Sequence, residues 1–292
     1  MKTYKEYLQQ HNYSPISIKG NLRLLKHFEK WCKRNGTTAE TIDYKTCLKY
    51  VRHLTRKGNK KKTVNHKLRR IKTYLDYLIE EGNRSNNPLA DIRVKGEKRS
   101  IHYDLLESEE LEDLYYSFET TGKQEIYHTY TAKRDKIIVG FMVYQGLHAK
   151  DLKHLRLENL KLNKGKLYVS GSRRSNGREL ELRPWQIMEL AEYLSDIRDK
   201  LMERTQDSDH LFPYGDRFIF VHTIIKKLKK YNQKVISAKQ IRASVITLWL
   251  GQYNLRKTQY LAGHRYISST ERYLQDDLEN LHEIVNNFHP IN

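Results

Sequence analysis

Val64, Leu68, Ile71, Leu75 and Leu78 form an apolar stripe along a segment whose other side carries Lys62, Lys67, Arg69, Arg70 and Lys72. Residues that recur every three or four positions share one face of an α-helix, so this segment buries one side and keeps cations on the other. The spacing appears earlier as well, in Ile18, Leu22, Leu25 and Phe28 with Trp31 following, and it makes residues 2 to about 82 helical. Gly82 can end the last of these helices, and Asn86-Asn87-Pro88 makes a turn. The cationic face, preceded by Lys60, Lys61 and Lys62, is almost entirely of one sign. A merely solvated face does not require that, whereas a face that meets phosphates does.

The whole chain repeats this bias. Its 292 residues carry 54 Lys and Arg against 35 Asp and Glu, a formal net charge of +19. An extended polyanion is therefore the expected partner, nucleic acid first, with a merely basic soluble protein as the alternative. The length suits two ordinary domains or one large one, with a core that needs no disulfide or metal. Cys32 and Cys47 suggest a reduced, cytoplasmic setting, and no apolar run reaches the roughly 20 residues that a membrane helix needs.

Past the first helices, Lys95-Gly96-Glu97-Lys98-Arg99-Ser100 is polar and without period, as a linker is. Residues 1–94, 95–103 and 104–292 are thus expected to be a helical DNA-binding domain, a linker and a second domain. In the last of these Ser108 can cap a helix with Glu109 and Glu110 in its first turn. Another helix is expected from Lys133 to Gln145, closed by Gly146. Lys166–Ser170 and Glu179–Arg183 alternate like two short strands around a basic, mobile tip, and helices resume at Pro184. The expected fold class is mainly α, with a mixed but mostly helical second domain that contains one small hairpin.

There is no G-x-x-x-x-G-K-[ST] loop and no His/Cys cluster at metal-ligand spacing, so neither a nucleotide-driven motor nor a zinc enzyme has support, and no cofactor is expected. The informative residues come late: Lys239-Gln240-Ile241-Arg242, Leu261-Ala262-Gly263-His264 and Thr270-Glu271-Arg272-Tyr273. These segments resemble the tyrosine recombinases, or phage integrases, in which an H-x-x-R motif, an L-G-H motif and a catalytic tyrosine follow in this order. Upstream, Gln145-Gly146-Leu147-His148-Ala149-Lys150-Asp151-Leu152 resembles the family's T-G-L-R-x-x-E-L box, and Asn87-Pro88 falls where the family ends its N-terminal helical domain. The resemblance covers nearly the whole chain.

It implies a SAM-like core-binding domain, a catalytic domain, and site-specific recombination or integration of double-stranded DNA through a 3′-phosphotyrosyl link. Tyr273 would attack the scissile phosphate, Arg242 would bind its non-bridging oxygens and His264 would donate to it. Such chemistry suits these side chains. A phenol with a pKa near 10 must lose its proton, and a phosphodiester must be neutralised before an oxygen nucleophile can approach. The resemblance also implies DNA contact by Lys60, Lys61, Lys62, Lys67, Arg69, Arg70 and Arg173, nucleoid association when DNA-bound, and a homo-oligomer, a tetramer in the synaptic complex.

Three positions depart from the family pattern. His148 stands at the first arginine and would be charged mainly if phosphate and Asp151 raise its pKa; Asp151 either orients it or leaves it a buried structural histidine. Lys239 replaces the first histidine of H-x-x-R. The hairpin tip carries Arg174 where the family has a lysine acid, so either Lys239 takes the acid role or Arg174 only stabilises charge. Those changes leave open an accessory or regulatory DNA-binding relative with impaired cleavage. Leu278, Leu281, Val285 and Phe288 form a final apolar stripe that docks either on its own domain or on a neighbouring protomer.

Overall fold

The computed structural model describes residues 2–96, 104–121, 125–173, 175–204, 209–213 and 220–274. Arg174, most of the expected linker and the apolar stripe after residue 277 lie outside them. The chain divides into two compact units, residues 1–98 and 99–292. No described helix is long and apolar enough to cross a membrane.

The first unit contains α1 (Tyr4–Gln10), α2 (Pro15–Arg34), α3 (Tyr44–Arg56) and α4 (Lys61–Glu80). Local chemistry starts three of them. Thr3 and Glu6 form a reciprocal capping box, Ser14 caps α2 ahead of Pro15, and Asp43 accepts from the Thr46 amide at 2.8 Å. The α4 stripe is buried throughout, together with Phe28, Trp31, Tyr50 and Leu54. Leu25 packs partly buried beside it, and Leu22 packs on a smaller cluster of Tyr4, Tyr7, Leu8 and Ile18. Gly82 has φ +74°, the left-handed conformation that lets the chain leave α4. Arg84 then pins the following loop, donating to the carbonyls of Ala39 at 2.5 Å and Ile42 at 2.9 Å. Cys32 and Cys47 are both buried and free, and burial pushes the Cys32 thiol up to about 12.

In the second unit α5 spans Ser108–Tyr116, and its cap is Glu107, paired in a capping box with Glu110, rather than Ser108. A carboxylate accepts the orphan amides as well as a hydroxyl does and adds charge at the positive helix end. Helix α6 (Ile126–Val143) starts seven residues before the expected Lys133, because Tyr127 and Tyr130 pack partly buried against the core and extend it. Its later part is buried all round, from Ile137 to Val143.

After α7 (Ala149–His154), strands β1 (Leu160–Lys161), β2 (Lys166–Val169) and β3 (Arg178–Glu181) form an antiparallel sheet in that order, with Leu167 opposite Leu180 and Val169 opposite Arg178. Helix α8 (Pro184–Glu192) runs through a π-helical turn at Tyr193–Ile197 into α9 (Arg198–Met202). Gln145 and Gln186 exchange amide hydrogen bonds of 2.9 and 3.0 Å beneath this sheet. Three further helices follow, α10 (Phe220–Tyr231), α11 (Ala238–Gln252) and α12 (Leu255–Ala262), and residues 268–274 are helical.

On either side of Arg174, which lies outside the described residues, the hairpin turn is hydrogen-bonded. Its flanks are held, with Ser172 and Ser175 paired across the turn, Asn176 donating its amide to the Gly263 carbonyl at 3.1 Å, and Ser175 bridging to His264. A tip that packs against another segment exchanges chain entropy for hydrogen bonds, which periodicity cannot reveal.

Candidate active site

Five chain segments meet in the second unit. The loop closing α6 supplies Gly146, whose φ of +55° turns the chain toward α7 and whose carbonyl accepts from Arg242 Nη1. The other terminal nitrogen of Arg242 donates to the Ala262 carbonyl, 2.5 Å away at the end of α12. One guanidinium on α11 thus ties together the two loops that carry His148 and His264. A planar fork does this with two separate nitrogens, where an ammonium would have to reach both carbonyls from one.

Gly263 has φ +65° and caps α12 in the left-handed conformation. That conformation suits glycine, and here space demands it as well, because a Cβ would overlap the Arg178 guanidinium. The next residue, His264, places Nδ1 2.9 Å from the hydroxyl of fully buried Thr270. Its ring lies nearly parallel to that of Tyr273, with centroids 6.0 Å apart and planes 16° apart. Thr270 and Tyr273 are three residues apart in the helical segment 268–274, so they face the same side and grip the imidazole between them.

His148 caps α7. Its Nδ1 accepts the Lys150 amide at 3.1 Å, so in the neutral ring the proton sits on Nε2, free to donate. Asp151 completes that cap by accepting from the His148 backbone amide at 3.3 Å, and the same oxygen accepts from Arg178 Nη2 at 3.0 Å. The ring of His148 is therefore oriented by the helix start and not by the carboxylate. Burial first, then Arg242, push its pKa down against the opposing pull of Asp151.

Lys239 is exposed, one turn before Arg242 on α11, and near enough to His148 to lower its pKa. Burial and Arg178 pull Arg242 below the usual guanidinium value, while Asp151 and Tyr273 oppose them. His148, Asp151, Lys239, Arg242, His264 and Tyr273 thus gather in one place. Arg173 is exposed on the hairpin turn, and Arg265 reaches the neighbouring Ser172 carbonyl at 3.5 Å.

Lys60, Lys61, Lys62, Lys67, Arg69 and Arg70 belong to the first unit. Lys60, Lys61, Lys62 and Arg69 are exposed, Lys67 is tied to Asn59 at 2.8 Å, and the Arg70 guanidinium packs over Gly20. Lys72 donates to the Ala90 carbonyl, so part of the cationic face serves the unit's own loops. Among the described residues no group of His, Cys, Asp and Glu could hold a metal ion.

His264 carries a pH signature. Burial first, then Arg242, Arg178 and Arg272, lower its pKa from 6.5 to about 4. The folded value lies below the unfolded one, so the unfolded chain binds the extra proton and stability falls as pH drops from about 6.5 toward about 4. Urea unfolding of the free protein should show wild type losing on the order of 1–2 kcal/mol more than His264→Gln between about pH 7 and about pH 5. Parallel loss in both proteins would remove His264 as the cause.

Sequence comparison assigns the class. Residues 105–280 match the phage integrase family, and residues 1–87 match the phage integrase N-terminal SAM-like domain. The chain belongs to the phage integrase family, the tyrosine recombinases. It is 23% identical over 288 residues to tyrosine recombinase XerC of Staphylococcus epidermidis, covering 96% of this chain and 93% of that one. It is 26% identical over 277 residues to tyrosine recombinase XerA of Pyrococcus furiosus, covering 91% and 87%.

The fold is likewise that of solved recombinases. XerH site-specific recombinase, solved with a palindromic difH substrate after cleavage, superposes with a TM-score of 0.74 at 17% identity, covering 97% of this chain and 84% of that one. A lambda integrase dimer bound to a COC′ core site gives 0.62 at 15% identity, covering 94% and 93%.

Two features of the site escaped the sequence. Thr270 carries no signal of its own. Arg178 does: it alternates with Leu180 on the core-facing side of β3, where a charge must find a buried partner.

Proposed function

We propose that this chain performs site-specific recombination of double-stranded DNA, cutting and rejoining strands through Tyr273. The observation that carries this reading is the meeting of Tyr273, His264 and Arg242 in a pocket of positive charge. The Tyr273 oxygen attacks the scissile phosphorus, the bond from phosphorus to the 5′ oxygen breaks, and a 3′-phosphotyrosyl link remains. Arg242 neutralises the non-bridging oxygens and His264 donates to them. The phenol gives up its proton to water, and the departing 5′ oxygen takes one, a donation assigned in this reading to Lys239, exposed one turn before Arg242. Rejoining is the same step in reverse, because the phosphotyrosyl link conserves the energy of the broken phosphodiester.

The relatives solved on DNA support a duplex as partner. In this reading Lys60, Lys61, Lys62, Arg69 and Arg173 meet its phosphates, with Lys67 and Arg70 beside them, and binding weakens steeply with salt. Exchange between two duplexes cuts four strands, and four protomers supply the four tyrosines. Residues 1–94 act as the core-binding part, and residues 95–103 join it to the catalytic part.

One observation favours a second reading, a DNA-binding relative with impaired cleavage: His148, whose pKa burial lowers, stands where the family has an arginine. A nicked suicide duplex drawn from the DNA that flanks the gene separates the two. Recombination chemistry leaves protein covalently attached to the 3′ end, at residue 273 on peptide mapping. Salt-sensitive binding with no adduct favours the second reading.

A further inference from the structure

The site lacks an arginine at position 148 but does not lack a second guanidinium. Arg178 is 2% exposed at the start of β3 and meets Asp151 through Nη2 at 3.0 Å. Among the described residues its Nε and Nη1 have no hydrogen-bond partner. Buried donors are nearly always paired, and an arginine keeps its charge even when buried. Two unpaired nitrogens on such a group therefore mark an environment short of anion.

The surrounding charges agree. Arg178 acts on both Arg242 and His264, and Asp151, which must serve Arg178, also faces Arg242 and His148. Asp151 is bonded to Arg178 alone, while Arg242, tied to two backbone carbonyls, also feels its charge, with Lys239 close by. A buried surplus of positive charge destabilises a free protein and is relieved by an incoming anion. The pairing is informative too. Asp151 sits at the acidic position of the box, and its guanidinium partner comes from β3 instead of from position 148.

We propose that Arg178 supplies, from strand β3, the fixed second positive charge that position 148 lacks, neutralising the scissile phosphate together with Arg242. It acts from beneath the pocket, where low dielectric lets a buried charge stabilise developing negative charge without touching it. The inference rests on the recombinase reading above.

Its test compares two suicide duplexes from the flanking DNA, one with the natural scissile phosphate and one with a methylphosphonate, which lacks the negative charge. Arg178→Gln should form adduct roughly 10²–10³-fold more slowly than wild type on the phosphate, and within roughly tenfold of wild type on the methylphosphonate. Arg178→Lys, which keeps a charge, should fall between and provides the same comparison if the glutamine variant does not fold. An equal loss on both duplexes, or no loss on either, overturns the proposal. Absence of adduct from the wild-type protein on both duplexes would instead sink the recombinase reading, and this inference with it.

Discussion

Tyr273→Phe is expected to bind DNA as the wild-type chain does and to form no covalent adduct. The substitution removes one oxygen and keeps the ring that lies against His264 at 6.0 Å, so the imidazole retains its neighbour. Affinity for duplex DNA comes from cations on phosphates, none of which is altered. Chemistry, in contrast, loses its nucleophile. A gel shift paired with a denaturing gel on the same suicide duplex checks both halves. Adduct that persists in the variant would move the nucleophile to another residue.

Arg242→Lys should lower the rate of adduct formation by roughly 10²–10³-fold, the cost of losing one well-placed oxyanion donor. Charge is preserved, so a purely long-range role would leave the rate nearly unchanged. Geometry is what changes: the two terminal nitrogens of the guanidinium reach the Gly146 and Ala262 carbonyls separately and keep further N–H groups for a phosphate, whereas an ammonium's three donors all spring from one atom. One buried carbonyl is then left unpaired, and melting temperature should drop as well. Single-turnover cleavage and thermal unfolding measured together separate the two effects. A lysine variant that cleaves at the wild-type rate would show that position 242 needs charge alone.

Much of the architecture was legible because it depends on local spacing. The α4 stripe from Val64 to Leu78 is buried as its period requires, and Gly82 leaves that helix in the left-handed conformation expected of it. The two longer strands of the hairpin fall within two residues of their alternating segments. Strand β1 has only two residues, too few for any alternation to register. Boundaries failed where a tertiary contact or a near-equivalent cap decided them, as at Glu107 and at Ile126. The hydrogen bond from Asn176 and the lowered pKa of His148 depend on residues distant in the chain, Gly263 and Arg242 among them.

The order of residues was enough to assign the chain to its family and to single out Arg242, His264 and Tyr273 as candidates, because side-chain chemistry and spacing are properties of the chain itself. Only the folded molecule could decide which charge stands beside which. Asp151 pairs with Arg178 and not with the ring of His148, and Thr270 holds His264. Those pairings follow from burial: once water is gone, each ionised or polar group must take the partner that packing brings within hydrogen-bond reach, and packing is settled by the whole fold.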